Sequence, residues 1–197
     1  MNEFWNERYA SKGYAYGEEP NQFFKEQIKT IQPGKILFPA EGEGRNAVFA
    51  AISGFDVVAF DLSIEGMKKA TQLAAQHNVR IDYLIESYES ILLEEESFDV
   101  IVLIFAHMPS AFRTKYHRKL LKFLKPGGTL ILEGFSKEQI VRNSGGPKDE
   151  AMLFSIDELK SDFESMSDLV ITKTEVKLSE GPYHQGIASV IQLVGKK

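Results

Sequence analysis

Lys35-Ile-Leu-Phe-Pro-Ala-Glu-Gly-Glu-Gly-Arg-Asn-Ala47 limits what this chain can fold into more than any other stretch. Ile36, Leu37 and Phe38 make a short strand that is apolar on both faces and so needs cover on both sides. Gly42 and Gly44 follow; lacking a Cβ, they permit a sharp turn and let a ligand approach the backbone. Asn46 to Ile52 then has the apolar content of a helix lying on a sheet. A strand, a Gly-x-Gly turn and a helix N-terminus build a nucleotide-type site at the carboxyl edge of a parallel sheet.

Charge narrows the ligand. Glu41 and Glu43 flank Gly42, and two carboxylates would repel a pyrophosphate but suit a cation. S-adenosylmethionine, a net cation joined to an adenosine, fits such a loop better than NAD. Phe55 to Phe60 forms a second continuous apolar strand that ends at Asp61. A carboxylate there can accept both ribose hydroxyls of an adenosine, or it can simply cap the next turn. Arg80 to Ile85 reads as a third strand, with Ser87 and Tyr88 at its end, where a polar group could meet adenine or belong to an ordinary loop.

Further strands and helices alternate. Phe98 to Phe105 is the strongest strand, and it delivers Phe105 and His107 to the same sheet edge if the strands are parallel. His107 can touch an acceptor, act as a base, or be structural. Asn21, Ser63 and Ser110 stand where helix N-caps belong, and Ser155 with Glu158 has capping-box spacing. Asn2 can likewise cap a short first helix. Ile64, Met67, Ala70, Thr71 and Ala74 read as one inner stripe, and Phe112, Tyr116, Leu120 and Phe123 as another. Residues 136–150 look like a loop, either a substrate gate or plain surface. Strands over 169–177 and 187–194 pair best as a closing antiparallel hairpin. The expected organisation is one domain over 1–197, with a helical cap or lid over 1–33 and a core over 34–197. Within the cap, Trp5, Tyr14 and Tyr16 either cover the ligand or only pack on the sheet.

Composition excludes other classes. With 197 residues and 43% hydrophobic content, the chain can bury a full core. Its net charge of −5 gives no general pull on nucleic acid or anionic lipid. The densest basic group, Arg113, Lys115, His117, Arg118, Lys119 and Lys122, reads best as a solvated helix face. With no cysteine, disulfides, thiolate metal sites and a cysteine nucleophile are excluded, and no metal is expected. No signal peptide is evident, and no apolar run approaches the roughly 20 residues of a membrane span. The expectation is a soluble cytoplasmic protein, monomer or homodimer, acting on a small molecule.

Phe4-Trp-Asn-Glu-Arg-Tyr9, Ala40-Glu-Gly-Glu-Gly-Arg-Asn46, Leu124-Lys-Pro-Gly-Gly128 and Glu180-Gly-Pro-Tyr-His-Gln-Gly186 together resemble class I S-adenosylmethionine-dependent methyltransferases. They are most similar to the small bacterial tellurite-resistance and thiopurine methyltransferases. The resemblance covers nearly the whole chain. It implies an α/β, Rossmann-like, doubly wound sheet of seven strands, six parallel and the last inserted antiparallel, with helices on both faces. It implies S-adenosylmethionine as cofactor and methyl transfer to a small acceptor such as a thiol or a selenium or tellurium oxyanion. Ala40, Glu41, Gly42, Gly44, Arg45 and Asn46 would line the methionine half of the cofactor. Asp61 and Leu62 would lie at the ribose, Ser87 and Tyr88 at adenine, and Phe105 near the sulfonium. Phe38 stands where the family has an acid and Ala40 where it has a glycine, so Glu41 would take over the contact to the ammonium. If the acceptor carries a proton, His107 or His184 could remove it. The alternatives are an NAD(P)-dependent oxidoreductase, since Gly42 to Ala47 also fits the looser dinucleotide pattern, and an S-adenosylmethionine-binding protein without catalysis.

Overall fold

A computed structural model describes the chain from Asn2 to Lys197, the side chain of Asn2 excepted, so the cap role read for Asn2 lies outside the described residues. The N-terminal segment holds α1 (Asn2–Tyr9) and α2 (Gln22–Ile28). Then come β1 (Lys35–Pro39), α3 (Arg45–Ile52), β2 (Asp56–Asp61), α4 (Ile64–Gln76), β3 (Asp82–Ile85) and β4 (Phe98–Ile104). The chain continues through α5 (Ser110–Phe123), β5 (Leu124–Phe135), two short 3-10 turns, α6 (Ile156–Asp162), β6 (Ser167–Glu180) and β7 (His184–Lys196).

The seven strands form one sheet in the order β3-β2-β1-β4-β5-β7-β6. β1 pairs in parallel with β2 and β4, β2 with β3, and β4 with β5. β7 runs antiparallel between β5 and β6, as the hairpin signal and the resemblance implied. Alternate residues of the central strands feed opposite faces. Leu37, Phe60, Ile101 and Leu132 meet Leu120 of α5 and Phe163, just after α6, on one side. Ile36, Phe38, Val57 and Val102 meet Phe24 and Ile28 of α2 and Ala47 of α3 on the other. That two-sided cover is why these strands carry continuous apolar runs.

Several helix starts follow local chemistry. Asn21 accepts from Phe24 N–H and Ser63 from Gly66 N–H, and Ser155 with Glu158 closes a capping box. Two inner stripes differ from expectation. α4 buries Gly66, Ala70, Leu73 and Ala74, leaving Thr71 exposed. α5 starts after Pro109 with no side-chain cap from Ser110, and it turns Arg113, His117, Leu120 and Leu121 inward. Phe112 is instead 49% exposed. The apolar pattern misread the register because two core positions of α5 carry polar residues. Both are paired: Asp162 on α6 accepts from Arg113 Nε at 2.7 Å, lies 2.9 Å from His117 Nδ1, and accepts from Thr114 at 2.6 Å. Of the other members of the basic group, Lys115, Arg118 and Lys122 pair with Glu89, Glu164 and Glu95, and Lys119 donates to the carbonyls of Tyr88 and Glu89.

The strand order reverses between β1 and β4, which splits the loops at the carboxyl edge and opens a crevice there. The closing hairpin is longer than expected. β6 runs to Glu180 and β7 starts at His184, so these two residues face each other as the last pair of the ladder.

Candidate active site

The turn after β1 carries three residues with positive φ: Ala40 at 52°, Gly42 at 64° and Gly44 at 88°. Gly44 is the N-cap of α3 and has no side chain to cap with. Glu41 does it instead: its Oε1 accepts from the N–H groups of Asn46 at 3.0 Å and Ala47 at 2.8 Å. Burial penalises the charge, and although those N–H groups and Arg45 oppose it, the carboxyl rises to about 7. Glu43 is used elsewhere, a correction to the pair of carboxylates read from sequence. It accepts from Ala15 N–H and from Lys69 Nζ, each at 2.7 Å, tying the N-terminal loop to α4.

Gly42 and Gly44 do not line the cavity, a second correction. A Cβ at Gly42 would lie 2.6 Å from the Tyr9 hydroxyl, and one at Gly44 would lie 2.5 Å from Cβ of Ala70. Their missing side chains therefore admit α1 and α4 to close packing. The Gly42 backbone is held at both ends: its N–H donates to Asp61 Oδ2 at 3.1 Å, and its carbonyl accepts from Tyr83 at 2.6 Å. Asp61 also accepts from Ser63 N–H at 2.8 Å. Burial pushes its carboxyl up, and the same N–H groups pull against that.

Above this edge lies a cavity of about 890 Å³, within the range of small-molecule sites. Ala40, Glu41, Arg45, Asn46, Asp61, Leu62, Ser87, Tyr88 and Phe105 all line it. The Tyr88 ring packs on Phe60 and stacks on Tyr116, while its hydroxyl is buried without a partner. Phe105 sits at the end of β4 with φ of 51°, a strained conformation for so bulky a residue, stacked on Phe135. The other wall carries Trp5, Arg8, Tyr16, Tyr183 and His184, with residues 145–149 of the loop after β5. That loop is anchored at its base, where Gln139 donates to Ser144 Oγ and to the Gly145 carbonyl.

Tyr14 is not in the cavity: its hydroxyl donates to the Lys69 carbonyl and its ring packs with Val48, Leu73 and Ala74 beside α4. His107 lines the cavity but has no nitrogen to offer. Its Nδ1 lies 2.8 Å from the Met152 carbonyl, and its Nε2 accepts from Phe135 N–H at 2.9 Å. Burial lowers it to about 4, so it is neutral. It is a strut between loops, not a base. His184 differs: Nδ1 lies 3.2 Å from Glu180 Oε2, and Nε2 has no partner among the described residues.

Sequence reading missed Arg8, Phe135, Tyr183 and Glu180. Glu180 lies between the strands expected over 169–177 and 187–194, whereas the ladder extends to the Glu180–His184 pair. Among the described residues, no group of three or more His, Asp or Glu side chains is arranged to hold a metal, and no helix is long and apolar enough to cross a membrane.

Residues 36–128 match the family model described as Methyltransferase domain. That stretch, just under half of the chain, is similar to methyltransferase domains. Demethylmenaquinone methyltransferase of Clavibacter sepedonicus is 30% identical over 109 residues, which are 55% of this chain and 44% of that protein. This chain spans about half the length, or less, of the curated relatives it matches. The structure described as "Conversion of a Disulfide Bond into a Thioacetal Group during Echinomycin Biosynthesis" superposes with a TM-score of 0.76 at 17% identity, covering 99% of this chain and 90% of that one. TehB from Haemophilus influenzae superposes with a TM-score of 0.74 at 16% identity, covering 100% of this chain and 66% of that one. The sheet of a dinucleotide-binding fold would continue in parallel to a sixth strand. Here an antiparallel strand lies beside β5 instead.

The residues present fit S-adenosylmethionine. Two carboxyl groups, Glu41 and Asp61, stand at the cavity edge beside the N-terminus of α3, with one Glu41 oxygen left free, and Tyr88 lines the same cavity.

Proposed function

We propose that the protein methylates a small molecule with S-adenosylmethionine. One observation carries this reading: a single cavity runs from Asp61 and Glu41 at the ends of β2 and β1 to an aromatic wall around His184. When bound there, the cofactor supplies a methyl group on a positively charged sulfur, open to in-line displacement by a nucleophile. Asp61 would hold the ribose hydroxyls, the free oxygen of Glu41 the ammonium, and Tyr88 the adenine. Phe105 would present its ring to the sulfonium, as aromatic faces attract cations. Residues 2–33, through Trp5 and Tyr16, with residues 143–149, would close over the acceptor and exclude water. Fixing two reactants in line can contribute roughly 7–11 kcal/mol.

The acceptor is a small molecule held on the His184 wall, and thiols, selenite and tellurite belong in the first screen. Calorimetry at pH 7.5 with S-adenosylmethionine and its demethylated product tests the proposal. Both are expected to bind at one site, and Asp61→Asn is expected to weaken both at least tenfold. Failure of both to bind the native protein overturns the reading.

A further inference from the structure

Glu180 and His184 form a dyad that the cofactor site does not use. Glu180 is held from three sides. Its Oε1 accepts from Asn21 Nδ2 at 3.2 Å, and its Oε2 accepts from Arg45 Nη2 at 2.8 Å and lies 3.2 Å from His184 Nδ1. Burial opposes its ionisation, but His184 and Arg45 outweigh burial and bring it down to about 2. An ionised carboxylate only accepts, so the Nδ1 facing it carries the hydrogen. The lone pair of the neutral ring is then on Nε2. His184 is 5% exposed and lines the cavity, and its Nε2 is absent from the sealed, unpartnered polar atoms among the described residues. The ring is also caged by aromatics: Tyr16 at 4.5 Å, Phe105 at 4.6 Å and Phe135 at 5.3 Å.

Resting on the methyl-transfer reading above, we propose that His184 Nε2 is the general base of the reaction, that Glu180 is its positioning residue, and that the acceptor is a flat aromatic molecule bound through a neutral hydroxyl. The hydroxyl proton passes to Nε2 as the oxygen's electron pair forms the new O–C bond. The pair of the broken C–S bond stays on sulfur, and the imidazolium later gives its proton to water. The base selects the nucleophile. Selenite and tellurite attack through a lone pair on the chalcogen, which has no proton to lose, and a thiol near pKa 8.5 is partly ionised at neutral pH. A phenolic hydroxyl near pKa 10 gains most from a neutral imidazole. Tyr16, Phe105, Phe135 and Tyr183 also line the cavity, and an aromatic lining suits a planar ring.

The first test needs no turnover. Long-range nitrogen–proton correlation spectra of the His184 ring are expected to show Nδ1 protonated and Nε2 bare at pH 8. Protonation should occur below the ordinary histidine value of about 6.5, because burial lowers it and Glu180 only partly offsets that. The charged groups facing the ring are Glu180 on β6, Arg45 on α3 and Arg8 on α1, with Tyr16 and His107 nearby. Glu180→Gln removes the one anion among them, so protonation should move to still lower pH and the other tautomer should appear. A native ring carrying its hydrogen on Nε2 overturns the proposal.

The second test follows methyl transfer from S-adenosylmethionine to phenol and catechol, with selenite, whose attacking selenium lone pair carries no proton, as the comparison. His184→Gln should lower the phenol or catechol rate at least 100-fold while binding of the demethylated cofactor stays within a few-fold. An unchanged rate in that variant, or turnover of selenite with none of either phenol, refutes the inference. Native protein that binds neither form of the cofactor refutes instead the methyl-transfer reading beneath it.

Discussion

Glu41→Gln separates what the fold needs at this position from what a ligand would need. The capping oxygen survives the change, because the Gln carbonyl can still accept from Asn46 and Ala47 N–H. Only the charge is lost. Glu41 is raised from 4.5 to about 7 in the fold. Between those two values the folded state binds more protons than the unfolded one, so the native protein loses stability as pH rises through that window. At about 1.4 kcal/mol per pH unit, the cost of the buried charge above pH 7 reaches at most about 3.5 kcal/mol. The attraction of a helix N-terminus for a carboxylate, about 0.3–1 kcal/mol, is too small to reverse the sign. Glu41→Gln is therefore expected to match the native protein below pH 4.5 and to exceed it at pH 8.5 by up to about 3.5 kcal/mol, a Tm gain of several degrees. Urea unfolding at the two pH values, without ligand, measures this. The same variant should bind S-adenosylmethionine more weakly, so stability and affinity should move in opposite directions. A variant less stable than the native protein at pH 8.5 would refute the reasoning, because the charge would then be holding α3 rather than waiting for a cation.

Gly44→Ala should lose about 2–4 kcal/mol in urea titrations, combining the strain of φ at 88° with a Cβ 2.5 Å from Ala70; a loss under 1 kcal/mol would show that α3 and α4 can part freely. Asp162→Ala should cost about 3–5 kcal/mol, since it strands Arg113 and His117 in the core; a near-neutral result would mean water reaches them. Burial opposes ionisation of Asp162, but His117, Arg113 and Thr114 bring it down to about 2. Its contribution is thus present above the ordinary value of 3.8 and lost as pH falls toward 2. Acid unfolding followed by circular dichroism should begin at higher pH in Asp162→Asn than in the native protein, and coincident transitions would count against the assignment.

The linear sequence determined what neighbours along the chain decide. The strand, glycine turn and helix of residues 35–52, the caps at Asn21, Ser63 and Ser155, and the closing hairpin all rest on contacts within a few residues or on period alone. Asp61 was legible for the same reason, because a strand end fixes where its side chain stands. Only the tertiary structure decided which polar groups were already taken. His107 looked free until Met152, 45 residues on, supplied a carbonyl. Glu43 looked like half of a cation trap until Lys69 and Ala15 closed on it. Arg113 and His117 disguised the inner face of α5 because Asp162 neutralises them from another helix. Glu180 gained its partner only because the hairpin ladder extends to its last pair. Spacing along a chain reports which face a residue occupies, but a buried charge or ring nitrogen is satisfied by whatever the fold brings to it, and that partner is distant in sequence.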